Sequence, residues 1–403
     1  MNIKIIIGAI LTAVLGLLIV SCASVSNSLT TTVPSIAFEE APVDFRITDG
    51  FRNIHYVQLE LTDECPINIV RKIIDADGHL LVLTLPNGLF NFNRENGKYL
   101  GRFGNFGEGP GEYLRVADVW YDEKEKCIIL YDSFRRKFMT YNTDGQFLYE
   151  RKEDAPIIYA DCISTTADGY MFGSCLFPSQ ETSGYYAYFI ITPEGDYSRM
   201  DHLAPVNSGD YATPFAQQPI AATSEGISFV KLLNDTVFSF EKGEIVPKYT
   251  IATKMKIPSR EIVAQAGSFT VHNLEYFCDA NGYFTGVNKI YETEKYTLLI
   301  PYGRTREGYF WIDKANGKGV HIPASDRVRF ETDLMIQGRS IIQIVGSNDK
   351  ELISYIKANP LVDACILRSL KEKPDLQPFD RRLKEFFENA DPDGNPCIMI
   401  YEH

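Results

Sequence analysis

The sequence predicts an all-β chain built from repeated units of about 50 residues. Aromatic and turn-forming residues are plentiful, a strand–turn–strand unit recurs at near-equal spacing, and helical periodicity is confined to short stretches. The 403 residues include 23 Tyr, 25 Phe, 29 Gly and 20 Pro. Aromatic side chains suit a pleated, half-buried surface, and Gly and Pro punctuate short strands.

The repeat is legible in its turns. Leu89-Phe90-Asn91-Phe92-Asn93 leads through Glu95-Asn96-Gly97 into Lys98-Tyr99-Leu100. The same pattern of apolar strand, turn ending in Gly, and second strand recurs around Gly145, Gly195, Gly243 and Gly317. A glycine at that point supplies the positive φ that a tight hairpin demands. The five glycines are 48, 50, 48 and 74 residues apart. Such a period fits one propeller blade or one solenoid unit, with an insertion between Ile251 and Thr293 in the last interval. Phe103 to Tyr113 holds four glycines and a proline, so it predicts an ordered link between units rather than a strand or helix. It lacks the Lys-Ser/Thr of a phosphate loop. Its alternative role is a loop rim at which Glu108, Glu112 and Arg115 reach a ligand.

Short helices are expected at Ser259–Gln265, Asp349–Ala358 and Phe379–Ala390, the last stopped by Asp391-Pro392-Asp393-Gly394. Cys397-Ile398-Met399-Ile400-Tyr401 then predicts a terminal strand. A ring of sheets must join its last sheet to its first strands or leave open edges. This strand is therefore expected to pair near Phe45 or Val57.

The amino terminus reads as an export signal. Lys4 precedes an apolar run from Ile5 to Val20, and Ser21 and Cys22 follow. Leu18-Ile19-Val20-Ser21-Cys22 resembles a bacterial lipobox, which implies cleavage before Cys22 and a diacylglycerol on its sulfur. An uncleaved anchor is the alternative, but the run is short for a membrane span. Residues 23–35 are small and polar, the composition of a flexible tether. The organisation expected is a signal peptide over 1–21, a lipidated Cys22 and tether over 22–35, and one domain over 36–403.

The lipobox, the Gly104 to Tyr113 run and the ending Asn395-Pro396-Cys397-Ile398-Met399-Ile400-Tyr401 together resemble the six-bladed β-propeller lipoproteins of Bacteroidota, a largely uncharacterised family similar to NHL-type propellers. The resemblance implies six blades around a channel, with a short helical insertion near the C-terminus and a closing terminal strand. It implies a lipid anchor in the cell envelope, at the outer membrane. Ala23-Ser24-Val25-Ser26 carries no acidic residue, which favours the periplasmic face over surface display.

Chemistry is sparse. The net charge of −13 without a basic stripe argues against nucleic acid as a partner. The eight cysteines contain no CxxC pair, and the six histidines include no metal-ligand spacing, so neither a metal nor a cofactor can be assigned. One bridge, Cys162 to Cys175 across a hairpin, fits an oxidising envelope. No GxSxG is present. The candidate ligand-binding residues lie in loops. Tyr185 stands in an aromatic run that packs in a strand or stacks on a sugar or peptide, and Tyr211 stands in a polar loop. Tyr302, Arg304 and Arg306 form a basic-aromatic loop suited to an anionic group, or a solvated surface. The function expected is a binding or interaction module for a glycan, peptide or envelope protein. The alternative is a hydrolase or lyase on a carbohydrate or related metabolite, with its site at the channel mouth.

Overall fold

The computed structural model describes residues 33–403 except 43–44, 46, 86–87, 153–159, 176–184, 204–216, 260–261, 263–270, 302–308, 323–334, 337–338, 341–342, 357–380, 382–383, 386–387, 390 and 392. Its strands form the six blades of a β-propeller. Blade 1 is Ile69–Ala76, His79–Leu85, Gly88–Asn93 and Tyr99–Arg102. Blade 2 is Val116–Asp122, Cys127–Asp132, Lys137–Asn142 and Phe147–Lys152. Blade 3 is Ala160–Thr165, Met171–Cys175, Tyr185–Ile191 and Tyr197–Leu203. Blade 4 is Ile220–Thr223, Gly226–Val230, Thr236–Glu241 and Glu244–Ile251, and blade 5 is Val287–Glu292, Tyr296–Pro301, Tyr309–Asp313 and Lys318–Ile322. In each blade the first strand is innermost, and consecutive strands are antiparallel neighbours.

Blade 6 draws on both ends of the chain. Gln343–Ser347, Glu351–Ile356 and Cys397–Glu402 are completed by Asn53–Gln58 as the outer strand. The closing pair is antiparallel in six consecutive registers, from Asn53 opposite Glu402 to Gln58 opposite Cys397, and Val57 faces Ile398 as the closure argument expects. Before reaching blade 6, the N-terminal segment runs along two other outer edges. Ser35–Ile36 adds parallel to Glu244–Ile251 of blade 4, and Phe38–Glu40 adds parallel to Lys318–Ile322 of blade 5.

Apolar residues from adjacent blades interdigitate to form the core. Val57, Ile398 and Ile400 of blade 6 share one buried cluster with Val70, Ile73 and Val82 of blade 1. Asn395 pins the same junction. Its Nδ2 donates to Glu60 O at 2.7 Å and Cys65 O at 2.9 Å, and its Oδ1 accepts from Ile67 N at 2.9 Å. A charged clasp lies nearby. Arg94, in the outer hairpin of blade 1, donates from Nε to Asp75 and from Nη2 to Glu351 and Glu402 of blade 6, each of the latter at 2.5 Å. Burial and the neighbouring Asp75 push the Glu351 carboxyl up to about 7 despite Arg94. Glu402 also loses solvent, but hydrogen bonds from Arg94 and His55 hold it below the usual carboxylate range.

The five hairpin glycines all have positive φ: +68° at Gly97, +85° at Gly145, +96° at Gly195, +81° at Gly243 and +65° at Gly317. Blade 6 has no counterpart because its third and outer strands are not joined by a hairpin. One expected helix is overturned: the Asp349–Ala358 region forms the strand Glu351–Ile356, with five of its six residues buried. A blade's second strand is covered on both faces, so its apolar residues run together and mimic a helical stripe. The described residues of Phe379–Ala390, at 381, 384–385 and 388–389, are helical as expected. Within Ser259–Gln265, Ile262 is helical and its N–H donates to Ser259 Oγ at 3.3 Å. The insertion between blades 4 and 5 also carries the helix Val271–Asn281, beyond the helices expected from the sequence. Cys162 carries a buried thiol in place of the expected bridge to Cys175; its Sγ points to Gln217 O and Gln218 Oε1, both at 3.7 Å.

Gly97 and Gly317 share nearly the same φ but differ in surroundings. A Cβ at Gly97 would lie 1.9 Å from Gln58 O of the closing strand, whereas nothing lies within 4 Å of one at Gly317. Gly317→Ala is expected to cost about 1 kcal/mol, the strain of a left-handed residue. Gly97→Ala adds a backbone clash and should lower stability by at least about 2 kcal/mol more. Urea unfolding of both variants checks this; equal midpoints would refute the close approach.

Candidate functional site: the channel and its bulged inner strands

The inner strands surround a cavity of about 860 Å³ to which all six blades contribute. Five of these strands share an irregularity. The register with the second strand slips between Val70 and Lys72, Val116 and Asp118, Ala160 and Cys162, Val287 and Lys289, and Ile344 and Gly346. A bulge places two residues opposite one and re-aims the side chains beside it. Repeated around the ring, it puts Lys72, Asp118, Cys162, Lys289 and Gly346 at equivalent positions.

These positions are chemically unequal. Lys72 Nζ donates to Asp118 Oδ1 at 2.9 Å and to Val119 O at 2.8 Å. Asp118 Oδ2 accepts from Ile163 N at 2.7 Å, so one buried carboxylate joins blades 1, 2 and 3. Lys289 has no carboxylate partner among the described residues, and burial lowers the pKa of its ammonium despite the nearby Cys162 thiol. Gly346 supplies no side chain, and a Cβ there would lie 2.2 Å from Ile73 O. The ring therefore holds one neutralised cation, one uncompensated cation and a gap.

The cavity opens among hairpins that join inner to second strands. Asp122, Glu123 and Glu125 of blade 2 and Asp349 of blade 6, with Lys124 among them, leave its rim net acidic. Asp349 also spans the mouth, accepting from Ser224 N of blade 4 at 2.9 and 3.1 Å. From the channel the cavity extends between blades 2 and 3, where Trp120, Thr140 and Tyr149 form part of its wall.

Of the residues expected to bind a ligand, Tyr211, Tyr302, Arg304 and Arg306 lie outside the described residues, as does Cys22. Tyr185 opens the third strand of blade 3, its backbone opposite Leu203, and its side chain lies outside the described set. Tyr188 is a buried strand residue whose hydroxyl donates to Val230 O. The Gly-rich run from Phe103 to Tyr113 is an ordered blade-to-blade link. Asn105–Phe106 pairs parallel with Glu112–Tyr113, and Tyr141 OH donates to Gly111 O at 2.7 Å. Glu112 turns inward to accept from Gly109 N at 2.7 Å, so it braces the loop. Glu108 pairs with Arg135 at 2.9 Å, and Arg115 lies over the Phe134 ring at 5.6 Å. Among the described residues, no group of three His, Cys, Asp or Glu is arranged to hold a metal ion, and no histidine lines the cavity. No helix among the described residues is long and apolar enough to cross a membrane.

The sequence matches the model of a domain of unknown function, DUF4934, over residues 32–402. The chain belongs to the DUF4934 family. Among solved structures, an exported protein of Bacteroides fragilis NCTC 9343 superposes with a TM-score of 0.69 at 19% identity, covering 91% of this chain and 98% of its own. At that identity the likeness is one of fold. A DUF4221 family member from Bacteroides vulgatus ATCC 8482 has a TM-score of 0.49 at 9% identity, covering 88% and 97%. A virginiamycin B lyase from Staphylococcus aureus, solved with quinupristin, has a TM-score of 0.40 at 12% identity, covering 75% and 96%. No curated protein matches the sequence.

The Lys72–Asp118 pair yields a quantitative expectation. Removing the cation leaves a buried carboxylate uncompensated, which costs about 3–5 kcal/mol. Lys72→Met should therefore lower the unfolding midpoint strongly, and the double variant Lys72→Met, Asp118→Asn should recover part of the loss. Equal stability of the single and double variants, measured by denaturant unfolding, would contradict the pairing.

Proposed function

We propose that this DUF4934 protein is a lipid-anchored propeller of the cell envelope, akin to the NHL-like lipoproteins it resembles, that binds a ligand in its channel. The observation that carries the binding role is the cavity of about 860 Å³ walled by all six blades. Its size falls within the range of about 300–1,000 Å³ typical of ligand sites. Lys289, partly buried, bridged through its backbone to the cavity-lining Gln218 and without a carboxylate partner among the described residues, would meet a polar group of the ligand. The alternative hydrolase or lyase reading calls for converging histidines and carboxylates, and no described histidine supports it. Support for anchoring comes from the lipobox-like stretch ending at Cys22 and the polar tether that follows. That tether leads to Ser35, on the outer edge of blade 4. Two chains would make such an anchor durable, and periplasmic display at the outer membrane fits the absence of acidic residues after Cys22.

Two measurements test the two halves of the proposal. In cells fed a radiolabelled fatty acid, the full chain should incorporate label and Cys22→Ala should not; label on Cys22→Ala would overturn the anchor. For binding, the soluble form covering residues 23–403 is unfolded thermally against oligosaccharides, peptides and small anions. A native-state ligand at a hundredfold excess over its Kd should stabilise by about 2.7 kcal/mol. Lys289→Met should diminish that gain. A flat response to every probe would turn the assignment toward a protein partner.

A further inference from the structure

Blade 2 turns a row of side chains toward blade 3. Trp120 lies opposite Ile129, Ile129 opposite Thr140, and Thr140 opposite Tyr149, so one row crosses the sheet from innermost to outermost strand. Three inter-strand spacings make that row about 14 Å long. All four residues line the same cavity that fills the channel. The channel therefore continues as a slot between two blades, reaching the outer strand at Tyr149, which is 60% exposed.

The inner end of the slot holds an unmet donor. Trp120 is only 5% exposed, and its indole Nε1 has no hydrogen-bond partner among the described residues. A buried N–H without an acceptor costs about 1–3 kcal/mol, and none of the described residues offsets that cost. Thr140 supplies a hydroxyl midway, and the outer end offers the Tyr149 ring. Beside the row, the Arg151 guanidinium lies 5.5 Å over the Phe138 ring. The rim outside carries the opposite chemistry, since Glu123 and Glu125 are exposed acceptors.

We propose that the slot between blades 2 and 3 is a subsite for a neutral oligosaccharide, seated with a ring oxygen or hydroxyl on the Trp120 indole N–H. This rests on the reading of the channel as a ligand site. Sugar hydroxyls both accept and donate, so one chain satisfies the buried donor within and the carboxylates at the rim. Their C–H faces pack on the exposed Tyr149 ring. An anionic ligand would meet repulsion at the acidic rim.

The chain contains two tryptophans, Trp120 and Trp311, which makes the test direct. Trp311 stacks on Tyr296 at 4.7 Å, a contact that phenylalanine can preserve, so Trp311→Phe leaves Trp120 as the sole indole emitter. That protein, residues 23–403, is titrated with maltohexaose, xylohexaose and the hexamer of N-acetylglucosamine. Calorimetry on the unmodified soluble form provides an affinity independent of fluorescence. The expected result is a saturable change in Trp120 emission with at least one sugar, at the calorimetric affinity. Trp120→Phe should weaken binding about tenfold, the loss of one buried hydrogen bond. Tyr149→Ala, on an exposed strand, should weaken it without disturbing the fold. Calorimetric binding with unchanged Trp120 emission and no effect of Tyr149→Ala would overturn the subsite while leaving the channel as a ligand site. Stabilisation by peptides or small anions with none by sugars would overturn the saccharide class alone. Failure of every probe would overturn both readings.

Discussion

Six backbone pairings between Asn53–Gln58 and Cys397–Glu402 hold the ring shut, and the rest of the molecule depends on them. A propeller's blades pack only on their neighbours, so an open ring exposes two blade faces to water. The closing strands bring apolar side chains as well as hydrogen bonds. Val57 and Ile398 meet Val70 and Ile73 in the cluster between blades 6 and 1. Arg94 adds a charged clasp to Glu351 and Glu402 across the same junction. Asn395 satisfies three backbone groups of the Glu60–Ile67 turn, which carries the chain from the outer edge of blade 6 to the inner edge of blade 1.

Closure also sets the channel. Bulges at equivalent places in five inner strands align their neighbouring residues around one axis. Most buried polar groups there are answered by the protein, as Asp118 shows with both oxygens engaged. The Trp120 indole N–H and one oxygen of Glu292 are exceptions on inner strands, and the partly buried Lys289 has no carboxylate partner among the described residues. A donor left unmet in the wall of a cavity can receive an acceptor from outside.

Much of the fold was legible because hairpin chemistry is local. Gly97, Gly145, Gly195, Gly243 and Gly317 each announce a turn from a few adjacent residues. The sixth blade left no such mark, since its third and outer strands come from opposite ends of the chain. Glu351–Ile356 was mistaken for a helix because burial on both faces erases alternation. The helix Val271–Asn281 has no acid in its first turn and no base in its last, so its ends carry no charge signal. The channel residues were hidden for another reason. Lys72, Asp118 and Lys289 stand inside apolar strands, where each looks like an isolated polar residue. Their shared feature is an apolar residue two positions earlier, Val70, Val116 and Val287, in the first strand of a repeat. Aligning the repeats on the first strand rather than on the hairpin would have brought them into one column.

The path of the N-terminal segment has a consequence for how the chain comes together as it is made. Ser35–Ile36, Phe38–Glu40 and Asn53–Gln58 are synthesised first, yet their partners are Glu244–Ile251, Lys318–Ile322 and Cys397–Glu402. Each successive edge waits longer than the one before, and the last waits for Cys397–Glu402. Blades 1 to 3 can assemble in order behind the growing end, but Asn53–Gln58 remains without a sheet until Cys397–Glu402 has emerged. A partly made chain thus presents unpaired strand edges, the state most prone to association with its own kind. Emergence of Cys397–Glu402, rather than any earlier collapse, is the event that lets this ring become a single folded body.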